Sequence, residues 1–199
     1  MNPTPNPNLN QTPTPTFDFA SFPILRTRRL ILREIVPADA AALFRVRGDL
    51  RVTRLNSGKP MQALDEAREL IEKGRQAFLD QRRLDWGITF IDKPSLIGRC
   101  GFNYWLQQDR RASIGYDLGY SYWGHGIMTE AVHAMIAFGF QRMNLNRVEA
   151  DVAAENIGSI RVLEKVGFQR EGLQREQYFE WDEFHDLVLF SLLRKDFVK

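Results

Sequence analysis

An α+β fold, in which about four helices flank a mixed, mostly antiparallel sheet of seven strands, is what the sequence predicts. Three observations carry that prediction. Three runs rich in branched and aromatic residues, "DWGITFI", "SLIGRCGFNYW" and "RASIGYDLGY", follow one another across the turn compositions "DKP" and "QQDR", as the strands of an antiparallel meander do. Apolar residues at helical spacing lie on both sides of the meander: Leu64, Ala67, Ile71, Gly74 and Phe78 before it, and Ile127, Ala131, Met135 and Phe138 after it. Two more strand-like runs, "FQREGLQREQYF" and "FHDLVLFSLL", close the chain across "EWDE".

From the N-terminus, "MNPTPNPNLNQTPTPTFDF" offers Pro, Asn and Thr with almost nothing apolar to bury. Residues 1–23 are therefore expected to form a disordered tail, and residues 24–199 a single domain. On that expectation, removing residues 1–20 costs little stability. "RLILREI" (29–35) reads as the first strand, and Pro37 pre-sets φ for the helix start in "PADAAALFRVR". The helix of 63–82 turns its apolar stripe inward and places Glu66, Glu69, Lys73 and Arg75 elsewhere. Beyond the meander, a third helix begins directly behind two glycines, and "RVEADV" is the fifth strand. Asn156 is an N-cap for "IGSIRVLEKV", which Gly167 ends in the manner of a left-handed C-cap.

Composition narrows the function classes. A formal net charge of +2 over 199 residues gives no argument for a nucleic-acid partner. The single cysteine, Cys100, excludes an intramolecular disulfide and a thiolate cluster for a structural metal, which fits a reducing, cytoplasmic location. Its apolar strand context marks it as a buried small hydrophobe rather than a nucleophile. No basic leader with an apolar run opens the chain, and no segment approaches the ~20 consecutive apolar residues of a membrane span. A soluble monomer or homodimer is expected, with no membrane partner.

The stretch "SYWGHGIMTEA" (121–131) carries the first chemical signal. A turn that delivers a helix N-terminus exposes unpaired N–H groups with partial positive charge, and glycine removes the side chains that would hold an anion away. The turn from Trp123 to Thr129 is thus a candidate pyrophosphate cradle; the alternative is a tight turn in which Gly124 and Gly126 only supply unusual dihedrals. A dinucleotide fingerprint would need a small residue where Thr129 stands and an early position in a parallel unit, and a Walker loop would need Gly-Lys-Ser/Thr. Neither pattern is present.

The segments "GYDLGYSYWGHGIMTEAV" and "NRVEADVAAENIGSIRVLEKVGF" together resemble the acetyl-CoA-binding core of the GNAT N-acetyltransferase superfamily. "TRRLILREI" and "HDLVLFSLL" are similar to the branch that acetylates the N-termini of ribosomal proteins. The conjunction is Gly-x-Gly before a helix, then Asn156, Ser159 three residues on, and Gly167-Phe168 eleven and twelve on. The resemblance implies a sheet splayed between its fourth and fifth strands, with acetyl-CoA as acetyl donor in the gap. By position it implies backbone contacts to pantetheine from Leu118 and Tyr120, and a pyrophosphate surrounded by Trp123, Gly124, His125, Gly126, Met128 and Thr129. It further implies that Asn156 holds the pantetheine.

Amine attack on a thioester needs a neutral amine, a stabilised oxyanion and a protonated leaving thiolate. An α-amine of pKa ~7.7–8.0 is partly neutral at pH 7, whereas a lysine near ~10.4 must give up roughly 4–5 kcal/mol on deprotonation. Many superfamily members place a tyrosine seven residues after the motif asparagine, but that position here is Leu163. The branch resembled uses a serine instead, which assigns Ser159 as proton donor to the thiolate. The oxyanion would fall to a strand N–H near Leu118, a contact of a type commonly worth ~3–4 kcal/mol. Asp85, Asp117, His185 and Asp186 are candidate bases, His185 preferred for its pKa. Tyr104, Trp105, Trp123 and Trp181 are candidates for lining an acceptor groove, with loops 48–61 and 104–111 setting specificity. The expected acceptor is the N-terminal α-amine of a protein or peptide. Alternatives are a small amine, or a non-catalytic acyl-CoA-binding module.

Overall fold

The computed structural model describes residues 17–56 and 58–197. The strands are β1 (Leu25–Arg26), β2 (Leu30–Glu34), β3 (Leu84–Phe90), β4 (Lys93–Leu106), β5 (Arg111–Leu118), β6 (Arg147–Ala153), β7 (Gln169–Glu180) and β8 (Glu183–Leu193). They form one eight-stranded sheet in the order β1-β2-β3-β4-β5-β6-β8-β7. The helices are α1 (Ala40–Arg47), α2 (Leu50–Thr53), α3 (Leu64–Leu79), α4 (Ile127–Arg142) and α5 (Ile157–Val166). The expected α+β class and meander hold, with one strand and one helix more than expected. Both additions, β1 and α2, are too short to carry a periodic pattern.

Adjacent residues of β4 show how the sheet is covered. Leu96 packs into a cluster with Leu43 and Val46 of α1 and Ala67 and Ile71 of α3, whereas Ile97 belongs to the larger cluster with Ala131, Val132 and Met135 of α4. Successive strand residues face opposite sides. At β4 the sheet is therefore a middle layer, covered by α1 and α3 on one face and by α4 on the other, whereas β7 at the far edge is mostly exposed.

The tail expectation needs correcting at its boundary. Residues 1–16 lie outside the described residues, but Phe17, Phe19 and Phe22 pack on the main core. Phe17 meets the Phe138 ring edge-on at 5.4 Å, Phe19 stacks on Trp105 at 5.6 Å, and Phe22 lies 5.0 Å from Phe78. Among the described residues, packing reaches back to Phe17, inside the range 1–23 expected to form the tail. Three aromatic rings bury enough apolar surface to reward ordering of their segment.

Candidate active site

β5 and β6 run parallel and pair only from Arg111 to Ser113 against Arg147 to Glu149. Beyond that point the two strands separate. The separation coincides with a bulge in β4, where Phe102 pairs with Ile114 and Tyr104 with Ser113, leaving Asn103 as the extra residue. A bulge bends and twists its strand locally, and this one sits at the junction where β5 leaves β6. The gap opens into two clefts. One, of about 630 Å³, is lined by Asp85, Asn103, Asp117, Asp151 and Tyr178 among others. The other, of about 410 Å³, is lined by Leu118, Trp123, Gly124, Gly126, Met128 and Thr129. Asn56, Tyr116, Asn156 and Ser159 line both.

The second cleft carries the anticipated cradle. Gly124 and Gly126 have φ of 77° and 70°, which only glycine adopts cheaply, and Gly126 starts α4 with no side chain capping its first turn. A β-carbon on Gly124 would meet nothing within 4 Å. That open space in front of uncapped N–H groups suits an anion, and Arg161 and Lys165 of α5 line the same cleft. The glycines thus do supply unusual dihedrals, and the space before them is left open. His125 departs from expectation: it is exposed, its carbonyl accepts from Arg29 Nη1 at 3.0 Å, and its residue is not part of the cleft lining. Arg29, itself held by Glu130, is the cation beside the turn.

Leu118 ends β5, and its carbonyl accepts from the Trp123 indole at 2.7 Å. The Tyr116 carbonyl accepts from Asn56 Nδ2 at 3.3 Å, while the next N–H along, Gly119, bonds back to Ile97 of β4. Backbone groups of Tyr116 and Leu118 therefore face the gap, as alternation along a paired strand requires. Tyr120 does not follow: the chain turns at Gly119, and Tyr120 opens a 3₁₀ turn with its ring exposed 4.0 Å beneath Arg51. The expected strand ran two residues too far.

Opposite β5, the α5 N-terminus is built as its sequence requires. Asn156 Oδ1 accepts from the Ser159 N–H at 3.0 Å and Asn156 Nδ2 donates to the Leu55 carbonyl at 2.9 Å, so its amide is used at both ends and is buried. Gly167 closes α5 at φ 104°. Ser159 Oγ lies 2.6 Å from the Tyr116 hydroxyl, a partner that no sequence signal indicated. Burial holds the Tyr116 phenol well above its ordinary pKa, so it stays protonated. Leu163, at the superfamily's tyrosine position, is wholly buried in the core and faces neither cleft.

The carboxylates sort by their partners. Asp117 is buried and takes Arg47 at 2.9 Å, Arg99 at 2.7 Å and the Asn56 amide at 2.7 Å. Burial opposes its charge, but the two guanidiniums win and hold the carboxyl below its ordinary range. Removing one partner of such a group typically costs about 3–5 kcal/mol, so Asp117 is a structural anchor. Asp85 is paired with Arg83. Asp186 accepts the Glu176 N–H and stands outside both clefts. His185, the preferred base, is engaged on both ring nitrogens: Nδ1 lies 2.6 Å from Glu155 Oε1 and Nε2 lies 2.9 Å from the Glu180 carbonyl. Two acceptors, the Glu180 carbonyl foremost, raise its pKa and favour the imidazolium, which has no lone pair to offer. Asp151, absent from the expected set, lines the first cleft with no ion-pair partner among the described residues, and burial followed by Glu149 raises its pKa.

Of the expected groove aromatics, Trp123 lines the second cleft, Trp105 lies under Phe19, Tyr104 bonds Glu149, and Trp181 is exposed on the β7–β8 turn. Tyr116 and Tyr178 line the first cleft instead. Loop 48–61 contributes Val52, Leu55 and Asn56, whereas 104–111 contributes nothing to either lining. Cys100 is fully buried, and desolvation pushes its thiol far up, as a small hydrophobe's surroundings would.

A split sheet, an uncapped helix N-terminus behind two glycines and a hydroxyl between two clefts leave room for a phosphate-bearing donor on one side and an acceptor on the other. The Acetyltransferase (GNAT) domain family matches residues 29–169, and the chain belongs to that family. It is 38% identical to the uncharacterized N-acetyltransferase p20 of Bacillus licheniformis over 87% of this chain and 97% of that one. Identity to the ribosomal protein uS5-alanine N-acetyltransferase of Escherichia coli is 25%, over 86% and 91%. The structure of Mycobacterium smegmatis RimJ in complex with CoA-disulfide superimposes with a TM-score of 0.77 at 26% identity, covering 89% of this chain and 88% of that one. The protein is an acetyl-CoA-dependent acyltransferase acting on amines. No described helix is long and apolar enough to cross a membrane.

Proposed function

We propose that this enzyme acetylates the N-terminal α-amine of a protein or peptide. The carrying observation is the charge of the first cleft. Asp117 and Asp85 are consumed by Arg47, Arg99 and Arg83, which leaves Asp151 as the one unpaired carboxylate among the described lining residues. One carboxylate matches one ammonium, whereas a polycation would be met by three arginines. The relative that acetylates an alanine of ribosomal protein uS5 supports the same acceptor class.

Acetyl-CoA supplies an activated acetyl group whose thioester carbon accepts the amine. The chain's own residues do the rest. Gly124, Gly126 and the first turn of α4 hold the pyrophosphate, with Arg161 and Lys165 adding positive charge. The gap-facing backbone of Leu118 is positioned for the acetyl oxygen, a contact commonly worth ~3–4 kcal/mol. Asp151 takes the proton that an incoming ammonium must lose; its raised pKa lies closer to that of an α-amine, which eases the transfer. Ser159 protonates the leaving sulfur. A buried, unpaired thiol at Cys100 suits a cytoplasmic enzyme.

Thiol release from acetyl-CoA over peptides with different N-terminal residues, beside spermidine and aminoglycosides, tests the acceptor class. Release with at least one peptide and none with polyamines is expected. The reverse pattern would refute the assignment.

A further inference from the structure

The Tyr116 hydroxyl lies 2.6 Å from Ser159 Oγ, and both side chains line both clefts, so the pair bridges the acceptor side of the gap to the donor side. We propose that Tyr116 and Ser159 form a two-hydroxyl relay that carries a proton from the attacking nitrogen to the departing sulfur. The inference rests on the acyl transfer assigned above, but it concerns how this chain replaces a tyrosine that α5 lacks.

The proton balance requires such a path. An α-ammonium loses one proton to Asp151 and becomes an amine. Transfer then forms an N–C bond and breaks a C–S bond, so one further proton must leave nitrogen and one must reach sulfur. Ser159 Oγ gives its proton to sulfur and takes the proton of Tyr116, while Tyr116 Oη takes the one released by nitrogen, directly or through a water in the first cleft. Both hydroxyls are neutral before and after. A stepwise route would leave a serine alkoxide or a buried phenolate. Burial opposes the latter strongly, and no charged group contributes to the Tyr116 shift, whose causes are desolvation and Ser159. Either hydroxyl can donate across this contact; the relay uses the arrangement in which the phenol donates to Oγ and the serine proton turns away from Tyr116. Tyr116 thus acts through Ser159 and performs, from strand β5, the task that Leu163, sealed in the core, cannot.

The first arm of the test uses CoA itself as probe and needs no acceptor; the second uses a peptide accepted in the thiol-release screen. The rate at which bound CoA is alkylated by iodoacetamide, followed against pH, reports ionisation of its thiol. The background is low because Cys100 is the single cysteine and is buried. Hydroxyls that donate to sulfur favour the thiolate, so in Tyr116→Phe and Ser159→Ala the bound thiol should ionise at higher pH, with about a tenfold smaller thiolate fraction for Ser159→Ala. Calorimetric CoA affinity should be unchanged at a pH where the thiol is protonated both free and bound. In single turnovers Ser159→Ala should lose ~10²–10⁴ in rate, and the double variant should be no slower than Ser159→Ala, because the two residues act as a unit. Unshifted ionisation in Tyr116→Phe, or additive losses in the double variant, would overturn the relay. A wild type that ionises bound CoA early yet acetylates no peptide would fault the acceptor assignment and leave the relay standing.

Discussion

Asp151 and His185 show how a residue's role depends on what faces it. His185 has the side chain whose ordinary pKa best suits a base, yet Glu155, 30 residues away in sequence, and the Glu180 carbonyl commit both of its nitrogens. Asp151 sits on β6 in an ordinary alternating pattern, and only the separation of β5 from β6 makes it a cleft residue. The same holds for Tyr116. The N-cap at Asn156, by contrast, was legible, because a cap and the first helical turn are local in sequence, whereas Ser159 was singled out through the family resemblance. A carboxylate must be ionised to take a proton, and the Asp151 pKa is raised. Turnover should therefore rise with pH through a midpoint above the ordinary carboxylate range. Asp151→Asn should lose about 10²–10⁴ in turnover together with that acid limb, at unchanged CoA affinity. A pH–rate profile whose acid limb survives the substitution would remove Asp151 from the mechanism.

Among the elements, α5 and the glycine turn were readable to the residue, since caps and positive-φ positions are fixed by residue type. The end of β5 was not: Gly119 and a 3₁₀ turn take the chain out of the sheet while "GYSY" still looks strand-like. The bulge at Asn103 had no sequence signature either, because register belongs to a pair of strands. A bulky residue at Gly124 or Gly126 should weaken CoA binding by at least tenfold, since strain at positive φ adds to a side chain standing in the anion's place. His125→Ala, outside the cleft lining, should leave affinity within about twofold. Titration calorimetry on the three variants checks this, and full affinity in both glycine variants would end the cradle assignment.

At the scale of the whole molecule, the meander β3-β4-β5 and the apolar stripes of the helices beside it follow from patterning, and the seven longer strands were visible as such, whereas the order β6-β8-β7 was not. The N-terminal boundary was not, because Phe17, Phe19 and Phe22 keep no period that distinguishes packing aromatics from a tail. Deleting residues 1–20 removes two of those rings, so the melting temperature should fall by about 2–4 °C for each kcal/mol lost, several degrees in all. Calorimetric melting of the truncated chain against the full one measures it, and coincident melting curves would show that the clasp contributes nothing. All of this scaffolding serves one gap, whose first cleft has a single unpaired carboxylate among its described lining residues. The decisive measurement is the site of acetylation on a peptide that carries both a free α-amine and an internal lysine, located by fragment mass spectrometry after one turnover with acetyl-CoA. The account predicts the acetyl group on the α-nitrogen; acetyl on the lysine ε-nitrogen, with the α-amine untouched, would contradict it.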